Sequence, residues 1–138
     1  MNDRRLSVLI LAASLFTNAC AAQGLPFEKV PPSANHATIY VYRPYSYAGS
    51  LLKPSVTCGE ETARIGPRGY HAFIVPTGHL VCSVETETAD AVELDADPRA
   101  YYIKEEIGWG LLIGHPHLNP IDTDQAQSEI QSCCVQEP

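Results

Sequence analysis

The sequence predicts an all-β fold: an antiparallel β-sandwich of about seven short strands with one short C-terminal helix. Three observations predict it. Strand-like apolar runs recur through residues 37–107, punctuated by Gly, Pro and acidic turns at intervals of roughly ten residues, the rhythm of sandwich strands. Residues 70–84 (YHAFIVPTGHLVCSV) read as two strands around a Pro-Thr-Gly turn, too apolar to stand as an isolated hairpin. Helical periodicity is confined to the last part of the chain, from Asp122 onward.

The first 22 residues read as an export signal. Residues 1–5 carry Arg4 and Arg5, residues 6–16 (LSVLILAASLF) are uncharged, and residues 17–22 (TNACAA) are mostly small. The apolar run is far short of the roughly 20 residues that a transmembrane helix needs. Cys20, preceded by Ala19, resembles the acylated cysteine of a bacterial lipobox, although Thr17 and Asn18 depart from the usual residues there. The competing reading is ordinary cleavage after Ala21 or Ala22. With Cys20 acylated and followed by Ala21, the expected location is the outer membrane, facing the periplasm and held through the N-terminal acyl chains. Without acylation the chain is expected to be soluble in the periplasm or secreted.

The formal charge is −7, and losing Arg4, Arg5 and Asp3 with residues 1–19 takes it to −8. Nucleic-acid binding asks for clustered Lys and Arg, so no nucleic-acid partner is expected. Anionic lipid repels such a domain, which leaves the acyl chains as its route to a membrane.

In chain order, residues 23–36 form a Pro-rich tether, expected to be an extended spacer, ahead of a sandwich domain over residues 37–134. Residues 37–43 (ATIYVYR) are the first strand, with Ile39 and Val41 alternating against Tyr40 and Tyr42; Pro44 ends it. Residues 45–55 are a loop whose Leu51-Leu52 pair is expected to fold back as a lid. Residues 56–58 and 62–65 are short strands. A turn centred on Thr77 pairs residues 70–75 with 79–84. Tyr70, Ala72, Ile74, Leu80, Cys82 and Val84 then share the core face, and His71 and His79 share the other. Residues 85–97 carry six carboxylates around Val92 and Leu94 and read as a solvated acidic edge strand rather than a calcium loop. Residues 99–107 are the last strand, followed by Trp109 and the apolar residues 111–113. Asp122 and Gln125 form a D-x-x-Q box that opens a helix through Ser132, with Ala126 and Ile130 on its inner face.

Apart from Cys20, four cysteines remain: Cys58, Cys82, Cys133 and Cys134. An even number in an exported domain predicts disulfides. The first choice is Cys58–Cys82 between neighbouring strands. A bond between the adjacent Cys133 and Cys134 is disfavoured as a strained ring, and the alternative ties both strand cysteines to the C-terminal pair. No C-x₂-C spacing suggests zinc.

Chemistry is sparse. G-x-S-x-G, S-x-x-K, Cys–His signatures, a P-loop and G-x-G-x-x-G are all absent, so no enzyme activity and no cofactor are expected. His115 and His117, at i and i+2 in an extended segment, could share a metal with one more histidine, but a solvated Pro-rich loop accounts for them as well. The tyrosines of the first strand and the loop after it, Tyr40, Tyr42, Tyr45 and Tyr47, are the candidate binding face.

Tyr40-Val41-Tyr42-Arg43-Pro44 and the P-x-G-H turn of Pro76, Gly78 and His79 resemble a family of bacterial lipoproteins known as a domain of unknown function. That family opens on a YVYRP-like strand and carries a v-x-P-G-x-H hairpin; small exported domains of the PEGA type have a similar turn. The resemblance covers roughly residues 37–107. It implies an immunoglobulin- or prealbumin-like sandwich behind a lipidated N-terminus and supplies no catalytic residues. Thr77, inserted between Pro76 and Gly78, and the Cys58-Gly59 pair depart from the pattern. The expected function is therefore a non-enzymatic envelope lipoprotein, an interaction or structural module whose partner is an envelope protein or cell-wall component. The alternative is a periplasmic metal-binding protein using His115 and His117.

Overall fold

A computed structural model of the chain describes residues 24–110 and 114–138; the signal segment with Cys20, and residues 111–113, lie outside the described residues. The elements run β1 (His36–Arg43), β2 (Ser55–Cys58), β3 (Glu61–Arg64), β4 (Gly69–Pro76), β5 (Gly78–Glu85), β6 (Ala89–Ala96), β7 (Ala100–Gly108), β8 (His115–Ile121), α1 (Thr123–Cys133) and β9 (Val135–Gln136). They form an all-β sandwich. The larger sheet has the order β8-β7-β1-β4-β9 and the smaller β3-β2-β5-β6. The smaller sheet is antiparallel throughout. The larger is mixed: β1 runs parallel to β7, and β4 parallel to β9.

Alternation decides what each strand buries. Ile39, Val41, Phe73, Val75 and Ile103 point from the larger sheet into the space between the sheets, where they meet Val56, Leu80, Cys82 and Val84. The other face of the larger sheet carries Tyr40, Tyr42, Tyr70 and Tyr102 against Ala126 and Ile130 of α1. β1 is thus covered on both faces, and every residue from Ala37 to Arg43 is buried. The D-x-x-Q box works as expected at the helix start: the Asp122 side chain accepts a hydrogen bond from Gln125 N at 3.0 Å.

The central hairpin is the main correction. β4 and β5 do not pair; β4 lies against β1, with Pro76 opposite His36, while β5 lies between β2 and β6. The chain crosses from one sheet to the other at Thr77, helped by Gly78 at φ 122°. On β5 the expected core residues Leu80, Cys82 and Val84 do face inward, but on β4 that role belongs to Phe73 and Val75. Tyr70 and Ala72 face the helix instead, and Ile74 is half exposed. The physical reason is that β4 is apolar on both sides, which suits a central strand covered twice rather than a hairpin arm with one wet face.

Residues 24–36 are also not a free spacer. Leu25 bridges Gln136, and the Phe27 ring meets Tyr40 and Tyr70 edge-on at 5.4 Å each. Val30 N donates to the Tyr40 hydroxyl at 2.6 Å. The tyrosine layer is wider than α1 alone covers, and Phe27 and Val30 close the remainder. His115 and His117, expected in a loop, begin β8, which pairs with β7.

Both disulfides are between near neighbours. Cys58 and Cys82 are directly opposite on β2 and β5 and are bonded, as expected. Cys133 and Cys134 are bonded to each other, against expectation. With the strand cysteines committed, these two thiols stand side by side where the backbone leaves α1 and turns extended at Cys134.

Candidate functional site

β1 and β7 both finish at the same end of the sandwich, where Arg43 is opposite Gly69. The connection after β1, the connection after β7 and the chain terminus beyond β9 all gather there. The loop end is organised from beneath by Arg43. This side chain has the inward parity of Ile39 and Val41, so its guanidinium is buried. It donates to the carbonyls of Leu52 at 2.8 Å, Ile65 at 3.4 Å and Gly49. Gly49 is required here: its φ is +68°, and a Cβ would fall 2.5 Å from the Ile107 side chain. A turn closes above it, with Leu52 N donating to Gly49 O at 2.9 Å.

A loop fixed from inside displays its other side chains outward. Tyr47 is 77 % exposed, Leu51 97 % and, across from them at the end of β7, Trp109 is 77 % exposed. The Tyr47 and Trp109 rings are 6.0 Å apart. Tyr45, half exposed, has the Arg68 guanidinium 5.3 Å from its ring centroid. Between Tyr47, Leu51 and Trp109 lies a groove of about 580 Å³ floored by Ala48 and Gly49. A neighbouring groove of about 460 Å³ runs beside β7, lined by Tyr45, Lys104, Glu106 and His117.

Beneath this surface is the one acid that is buried among the described residues. Glu105 lies on β7 at the inward parity of Ile103 and Ile107, and it is fully buried. Neither of its carboxyl oxygens has a hydrogen-bond partner. Burial pushes its carboxyl up to about 7, partly opposed by the nearby positive charge of Arg43.

The expected tyrosine face divides at Pro44. Tyr45 and Tyr47 are exposed, but Tyr40 and Tyr42 are core residues. The Tyr40 ring stacks on Tyr102 at 5.1 Å, and the Tyr42 hydroxyl donates to Glu129 Oε2 at 2.8 Å. Of the Leu51-Leu52 pair expected as a lid, Leu52 turns its backbone carbonyl in to Arg43, while Leu51 points to solvent.

The histidines do not converge. His117 Nδ1 stands 3.9 Å from Asp90 Oδ2, His71 Nε2 bonds to Glu61 at 2.9 Å, and His79 on β5 faces Asp95 on the adjacent strand β6. Among the described residues no three His, Cys, Asp or Glu side chains are grouped to hold a metal ion. No described helix is long and apolar enough to cross a membrane.

Trp109, Leu51 and Arg43 were not among the candidates from sequence. The signal for Arg43 was present, since a charged residue at the parity of Ile39 and Val41 must be buried and bonded. Trp109 and Leu51 carry no such signal, because nothing local separates an exposed apolar residue from a buried one. No family model matches this chain, and no curated protein does.

Proposed function

We propose that the chain is a non-enzymatic, exported envelope lipoprotein, carried on acyl chains at Cys20, whose working surface is the aromatic loop end. One observation carries the reading: Tyr45 and Tyr47 stand out into solvent on a loop that buried Arg43 ties down through Gly49 and Leu52, and exposed Trp109, just after β7, stands 6.0 Å from Tyr47. Rings offered in a fixed arrangement lose little entropy when they meet a partner, and Tyr and Trp suit surfaces that are part apolar and part wet. The signal-like residues 1–22 supply the export route and Cys20 the anchor.

Mass spectrometry of the mature N-terminus tests the anchor. The expected product begins at Cys20 and carries acyl groups; an unmodified start at Ala22 or Gln23 contradicts it. A photo-crosslinking side chain at position 47 tests the surface. It is expected to give adducts in intact envelopes, whereas one at position 74, towards the opposite end of the sandwich, is expected to give none.

A further inference from the structure

We propose that the loop end rests on the lipid bilayer itself, with Tyr47, Leu51 and Trp109 entering its headgroup layer, so that the domain is held at two places rather than one. The proposal rests on the lipoprotein reading and names the partner of that same surface.

The position of Gly24 carries the argument. The N-terminal segment is docked along the tyrosine face of the larger sheet, and its first described residue, Gly24, packs against Val135 and Gln136 of β9. β9 lies beside Gly69 and Tyr70, at the start of β4, which is the loop end. Cys20 is four residues before Gly24. Fully extended, that stretch spans at most about 14 Å. An acylated Cys20 therefore holds the bilayer within about 14 Å of the β9 edge at the loop end. Three strand spacings separate β9 from β7 in the larger sheet, on the order of 14 Å, so the anchor and Trp109 fit over one patch of membrane.

The surface chemistry of this end agrees. Seven large hydrophobic side chains are exposed among the described residues, and five of them, Leu25, Tyr45, Tyr47, Leu51 and Trp109, are here. Scattered singly they would mean nothing, but gathered at the end that the anchor faces they form an apolar rim. Trp and Tyr partition to the headgroup level of bilayers, and a bare Leu enters more deeply. The net negative charge opposes anionic lipid, so the fitting surface is zwitterionic.

Trp109 is the chain's one tryptophan, so its fluorescence reports on this surface alone. The protein is purified from envelopes in detergent and reconstituted into vesicles of phosphatidylethanolamine and phosphatidylcholine containing lipids nitroxide-labelled near the top of the acyl chain. The expected result is a blue shift of Trp109 emission and its quenching by the label, both lost in the Tyr47→Ser/Leu51→Ser variant. These two residues are exposed, so the fold survives the change. If the vesicles retain the protein but Trp109 stays unshifted and unquenched, the proposal is overturned and the lipoprotein reading stands. If Trp109 shifts only with rising protein concentration and without lipid quenching, the surface meets a second copy and the proposal is again overturned. A protein that vesicles do not retain, with an unmodified N-terminus, removes the lipoprotein reading and the proposal together.

Discussion

Tyr40 and Tyr42 share a segment and a chemistry with Tyr45 and Tyr47, yet their fates are opposite. The first pair is buried under the N-terminal segment and α1, with both hydroxyls hydrogen-bonded. The second pair lies in solvent a few residues later. Pro44 marks the division: it cannot donate to the ladder, β1 stops at Arg43, and the chain leaves the sheet. Within the strand, tyrosines are structural because a sheet face and a covering layer surround them. Beyond it they have a rigid base and no cover. For these four rings the role is therefore set by which side of Pro44 each falls, not by its type.

Truncating a ring on the buried side is the largest expected effect. Tyr40→Ala removes the stack on Tyr102, the contact with Phe27 and the acceptor for Val30 N. Urea unfolding is expected to show a loss of about 3–5 kcal/mol. A loss below about 1 kcal/mol would mean that the tyrosine layer is not core.

The boundary itself is tested by pH. Glu105, beside Arg43, has its carboxyl raised from 4.5 to about 7 by burial. Its protonated form fits the folded state, so its contribution is full below the unfolded value and is lost as pH rises through 7. Unfolding free energies from urea titrations are expected to fall between pH 5 and 8 by an amount on the order of 2–3 kcal/mol. Glu105→Gln is expected to flatten that slope. Equal slopes in the two proteins would assign the pH dependence to other groups.

Tyr42→Phe is a smaller cut on the buried side, expected to cost about 1 kcal/mol for the bond to Glu129. Glu129 is held below the usual carboxylate range by hydrogen bonds from the Gln125 amide, from Lys104 and from this hydroxyl. Its titration, followed by NMR, is expected to move upward in the variant. On the exposed side, Tyr45→Ser with Tyr47→Ser is expected to change stability by no more than about 0.5 kcal/mol each.

Patterning that depends on near neighbours was legible in the sequence. Alternation placed Leu80, Cys82 and Val84 inward, the Asp122 box opened α1, and the Cys58–Cys82 bond followed from two adjacent strands. What depends on distant layers was not. The Pro76-Thr77-Gly78 turn fits a hairpin as well as a crossing between sheets, and only β1, some 30 residues earlier, decides which strand β4 joins. Apolar side chains on both faces of residues 70–75 were the clue to a doubly covered strand. The parallel pairing of β1 with β7 leaves no local trace at all. For the candidate site, composition pointed to tyrosines but could not see the second covering layer that takes Tyr40 and Tyr42 out of play.

Hydroxyl-radical footprinting of the aromatic residues, compared between the purified protein and intact envelopes, tests the division at Pro44 most directly. Tyr40 and Tyr42 are expected to resist oxidation in both samples. Tyr45, Tyr47 and Trp109 are expected to be oxidised in the purified protein and protected in the envelope. Oxidation of Tyr47 and Trp109 to the same extent in both samples would contradict the account, because the loop end would then meet nothing where the protein works.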